Sequence, residues 1–96
     1  MNSRKCAVLL TLQQALLGEV SARLRVVTVS YDDTSIHFEC FYDGEITEED
    51  RESMMCVETE LIAVFPETDR ITHQILRKDY PGAIPKNCTW VFFRAE

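Results

Sequence analysis

Residues 35–42, SIHFECFY, place Ile36, Phe38, Cys40 and Tyr42 on one side of an extended chain and His37 and Glu39 on the other. That alternation most constrains the fold. A strand written this way has one face to bury, and a slip of one residue would turn the whole apolar set toward water. The preceding segment LRVVTVSY, residues 24–31, is rich in β-branched and aromatic side chains and reads as its partner across the short polar turn Asp32-Asp33-Thr34. A hairpin with one apolar face needs a second layer to cover it.

Two helical stripes supply that layer. Over residues 5–19, Leu9, Leu12, Leu16 and Val20 recur at helical spacing, flanked by Val8, Leu10 and Leu17. After a break at Asp43-Gly44, Thr47 stands as an N-cap with Asp50 three residues on, where a capping box usually carries Glu or Gln. The helix so started runs over 48–65 to Pro66, with Met54, Val57, Leu61 and Phe65 on one face and Ile62 beside them. RITHQILRK, residues 70–78, reads as a third strand and TWVFFR, residues 89–94, as a fourth. DYPGAIPKN between them is an irregular loop.

The order α-β-β-α-β-β describes an α+β two-layer sandwich, with two helices on one face of a four-stranded, mostly antiparallel sheet. Ninety-six residues leave no room for a second core, so residues 1–96 form a single domain. A shift of 45 positions sets Leu9 on Met54, Leu12 on Val57 and Leu16 on Leu61. The halves, about 5–42 and 47–94, thus read as two pseudo-repeats.

Charge is spread unevenly. The net value is −6, yet residues 43–60 carry eight acids and one base. With no basic stripe to neutralise phosphates, nucleic acid and anionic membrane are poor partners, and a basic protein is a good one. The apolar run near the N-terminus stops at Gln13-Gln14, short for a secretion signal, and no segment approaches membrane-spanning length. The expected compartment is the cytoplasm. There, Cys6, Cys40, Cys56 and Cys88 are read as free, buried thiols, because their spacing forms no C-x-x-C.

Enzyme signatures are missing: no glycine-rich phosphate loop, no G-x-S-x-G, no H-E-x-x-H, and two histidines without metal-ligand spacing. No cofactor, metal or catalytic residue is expected. One feature points the other way. Gln13 and Glu58 both fall inside the apolar arcs of their helices, and a buried carboxylate must find a partner. Glu58 with His73 inside the sandwich is therefore the alternative reading, a small-molecule-binding or catalytic pair. Pairing of Glu58 with Arg51 or Arg25 at the rim is the plainer account.

Two surfaces remain for binding. Asp43, Glu45, Glu48, Glu49, Asp50 and Glu52 place six carboxylates in ten positions. Acids in a first helical turn are stabilising, but six exceed what a helix start needs. They read as a partner-binding surface. The second is the sheet face away from the helices. Simple alternation places Trp90 and Phe92 on one side of the last strand and Val91 and Phe93 on the other. An aromatic pair therefore lands outside in either case, joined by Phe41. Phe41, Trp90 and Phe93 are the expected interface there, for a partner or for a homodimer, unless the C-terminus or the Pro81–Pro85 loop covers them.

The segments ALLGEV (15–20), DGEITEED (43–50), VETELIAVFPE (57–67), RKDYPGAIP (77–85) and WVFFRAE (90–96) resemble a family of small bacterial cytosolic proteins associated with immunity to polymorphic or contact-dependent growth-inhibition toxins. The resemblance covers most of the chain. It implies a binding protein without chemistry of its own, and a toxin domain, often a basic nuclease, as the partner of the acidic surface.

Overall fold

A computed structural model describes residues 3–86 and 88–96. Helix α1 spans Ser3–Ala15, strand β1 Leu24–Tyr31, β2 Ser35–Tyr42, helix α2 Glu48–Val64, β3 Arg70–Arg77 and β4 Thr89–Phe93. The sheet order is β3-β2-β1-β4. β1 pairs antiparallel with β2 and with β4, while β2 and β3 run parallel, joined by α2. The α+β sandwich read from the sequence is the fold observed, with a mostly antiparallel sheet. The two halves pair differently, since β1 and β2 form a hairpin whereas β3 and β4 lie at opposite edges.

The core lies between the helices and one sheet face. Val8, Leu12, Ala15 and Leu16 come from α1 and the turn after it, and Met54, Val57 and Leu61 from α2. They close on Leu24, Val27, Val29, Ile36, Phe38, Cys40 and Tyr42. The alternation in β2 is therefore met in full on its apolar side. Cys40 Sγ sits 3.2 Å from Met54 Sδ, and burial pushes its thiol far above the ordinary range.

Several expectations need correction. α1 ends at Ala15 rather than residue 19, because the chain turns into Gly18, whose φ of 84° is costly for other residues. Leu17 and Val20 thereby leave the helical stripe and are exposed, as are Leu10 and Ile62, and Gln13 points to solvent. Cys6, Cys56 and Cys88 are free but exposed, so only Cys40 fits the buried-thiol reading.

β4 departs from simple alternation. Its register with β1 shifts between Val27 and Thr28, where an extra residue enters β4. Val91 and Phe92 therefore both pack toward the core, and Trp90 and Phe93 share the outer face, their rings 5.0 Å apart and edge to face. A pattern of period two could not show this pair.

The start of α2 is fixed by one side chain. Asp50 Oδ2 accepts the Thr47 backbone N–H at 2.9 Å while Thr47 Oγ1 accepts from the Asp50 N–H at 3.2 Å, completing the capping box with Asp in the place of Glu. The other oxygen, Oδ1, takes Arg23 at 2.6 Å. Arg23 also donates to the Glu45 carbonyl and lies over the Tyr42 ring. Asp50 is 4% exposed. Burial pushes its carboxyl upward, but the bonds from Thr47 and Arg23 outweigh this and hold it below its ordinary 3.8. A folded value below the unfolded one means that Asp50 stabilises fully above that range, and the contribution is lost as pH falls through the folded value. Asp50→Ala should cost about 1–2 kcal/mol in chemical denaturation at neutral pH. The loss of stability below about pH 4 should be smaller in this variant than in the parent.

Candidate protein-binding surface

The loop between β2 and α2 carries the acidic segment to one end of the sheet. Gly44, at φ 91°, turns the chain out of β2, and its N–H donates to Asp79 Oδ1 at 2.8 Å, tying the loop to the end of β3. The six carboxylates expected to face a partner then divide. Asp50 is buried in the capping network. Asp43 pairs with Arg94 at 3.2 Å and accepts from the Tyr80 N–H. Glu45, Glu48, Glu49 and Glu52 are exposed, and no ion pair holds any of them among the described residues. The free anionic surface thus consists of four side chains around the first turn of α2.

The outer sheet face is partly closed. Phe41 alternates out of the core but is 6% exposed, between Val26 on β1 and Leu76 on β3. Trp90 and Phe93 are each 43% exposed. Trp90 Nε1–H donates to the Pro85 carbonyl at 2.9 Å, which draws the loop after β3 onto this face. The C-terminal residues are drawn in as well. Arg25, buried, grips Glu96 with two bonds of 2.7 and 2.9 Å, donates to the Lys78 carbonyl and lies over the Tyr80 ring. Of the three aromatic residues expected to form an interface, two are accessible.

Glu58 finds His73 rather than Arg51 or Arg25. His73 Nδ1 and Glu58 Oε1 are 2.8 Å apart, and the imidazole stacks on Phe38 with centroids 5.2 Å apart. The pair joins α2 to β3 and is 13% and 19% exposed. Two hollows of about 310 and 350 Å³ lie elsewhere, one lined by Asp32, Thr34, Ser35, Thr68 and Arg70, the other by Met55, Cys56, Thr59 and Glu60. Among the described residues no group of three or more His, Cys, Asp or Glu side chains is placed to hold a metal, and no helix is long and apolar enough to cross a membrane.

The family model of the MafI2 immunity proteins matches residues 5–96. The chain belongs to the MafI2 immunity protein family. No curated protein matches it in sequence. Membership points to a toxin-neutralising role with a toxin as partner. An immunity family is generally non-enzymatic, which fits a Glu58–His73 pair that links two elements.

Sequence reasoning missed Arg23. Its only signal was its position ahead of a β-branched strand, where a cation has no evident use. Its contacts explain why Asp50 is withdrawn from the acidic surface while its neighbours remain on it. The triple substitution of Glu48, Glu49 and Glu52 to Gln should lower stability by no more than about 1 kcal/mol in denaturant titration, the scale of helix-dipole effects at exposed positions. A larger loss would show that the fold itself needs these carboxylates.

Proposed function

We propose that this MafI2 family member neutralises a toxin in the cytoplasm by laying the exposed start of α2 against a basic region of the toxin, so that substrate is excluded. Glu45, Glu48, Glu49 and Glu52 form the contact, while Asp43 and Asp50 hold it in place through Arg94 and Arg23. One observation carries the reading. Four acidic side chains crowd one helix start with no ion pair among the described residues, on a chain whose other charges nearly cancel. Such a surface speeds encounter with a cationic partner and selects against anionic ones. Blocking requires no chemistry, only occupancy of the site that substrate needs.

The test uses the cognate toxin domain, made catalytically inactive. Glu48→Lys, Glu49→Lys and Glu52→Lys together should slow association at least about tenfold at low salt and should abolish protection of cells making the active toxin. Replacing Asp33 and Glu67, exposed acids elsewhere, should leave both unchanged. Unaltered association kinetics in the triple variant would remove the helix start as the binding surface.

A further inference from the structure

The two edges of the sheet are built differently. β4 is five residues long, bulged against β1 and preceded by a loop tied to Trp90. These are usual ways of closing an edge. β3 is eight residues long, registers with β2 from Arg70 to Arg77 without a shift, contains no proline, and carries arginine only at its ends. No strand pairs with its outer side among the described residues. The Arg70 and Lys78 N–H groups donate inward, to the Thr34 and Tyr42 carbonyls. By alternation along a strand, the N–H and C=O groups of Ile71, His73, Ile75 and Arg77 point away from the sheet, unpaired.

An apolar ridge runs beside this edge. Because Glu58 reaches His73, Glu58 marks the side of α2 that faces β3. At about 100° per residue, Ile62 lies roughly 40° and Met55 roughly 60° further around on that side. Both are exposed, at 56% and 53%. Along the axis they stand about 4.5 Å before and about 6 Å after Glu58, so the ridge is centred near His73.

We propose that a second copy of this chain occupies the edge, with two β3 strands pairing antiparallel about a two-fold axis through His73. A two-fold interface must be self-complementary. This axis sets Met55 of one copy against Ile62 of the other, and Ile62 against Met55, while Ile71 and Ile75 exchange backbone hydrogen bonds across it. An axis through Gln74 would instead set Arg70 opposite Lys78, a like-charge pair.

Spacing agrees. Four strands about 4.8 Å apart span about 14 Å, and two helices about 10 Å apart centred over them leave each about 2 Å inside an edge. A second copy joined at strand spacing then brings the two α2 helices about 9 Å apart, within the range of packed helices. The cationic ends of β3 make a basic toxin a poor occupant. The two acidic helix starts fall at opposite ends of the joined sheet and stay open.

Sedimentation equilibrium and amide hydrogen exchange on the full chain test this. The parent should be a dimer well below about 0.5 mM, with the Ile71, His73, Ile75 and Arg77 amides protected in proportion to the dimer fraction. Met55→Lys with Ile62→Lys, both at exposed positions, should keep the circular dichroism of the parent and raise the dissociation constant at least about tenfold. Trp90→Ala should not change it. Ile75→Pro, which deletes an outward N–H, should dissociate the dimer where Ile75→Ala does not. A parent that remains monomeric overturns the proposal. So does a dimer broken by Trp90→Ala but indifferent to the lysine pair, or protection of those four amides that appears only when the cognate toxin domain is added.

Discussion

Asp50 and Arg23 hold the architecture at the point where function is argued. A carboxylate that is nearly sealed from solvent is unfavourable unless its oxygens are hydrogen-bonded. Asp50 uses its own on the Thr47 N–H and on a guanidinium whose other arm reaches the Glu45 carbonyl. This ties the first turn of α2 to the entry of β1 and sets the height and direction at which the helix leaves the sheet. From there Met54, Val57 and Leu61 descend onto β2 and β3, and Glu58 meets His73. The same geometry turns Glu45, Glu48, Glu49 and Glu52 outward. Two kinds of acid therefore stand within ten positions, some bound into the fold and some left exposed.

The second determinant is the division of labour between the sheet edges. β4 is shortened and bulged, and the bulge lets two consecutive residues, Val91 and Phe92, face the core. The aromatic pair Trp90–Phe93 results from this irregularity and is partly covered by the loop that Trp90 holds. β3 is regular and open. The family identity, the acidic helix start and the open edge rest on separate observations, so each can fail without the others.

Much of this was legible in the sequence because period and punctuation are local. The alternation of SIHFECFY, the Thr47 cap, Pro66 and the two helical stripes placed all six elements within a few residues. Misplaced were the residues whose setting depends on tertiary contact. Leu17 and Val20 fit a helical pattern, yet the turn at Gly18 takes them off the helix. Ile62 fits the apolar face of α2, yet the helix rotates so that Glu58 rather than Ile62 touches β3. The acidic segment was visible as a cluster, and the Thr47 cap singled out Asp50 within it. That Asp50 is also sealed by Arg23, twenty-seven positions away, was not legible locally. Strand order was equally hidden, because the parallel pairing of β2 with β3 depends on where α2 crosses.

The exposed carboxylates at the start of α2 are proposed to dock a cationic toxin. The most direct measurement is the association rate of the unaltered protein with its cognate toxin domain, followed from low to high ionic strength. The account predicts a steep fall in association with added salt and a much smaller change in dissociation. An association rate that stays flat across the series would contradict it.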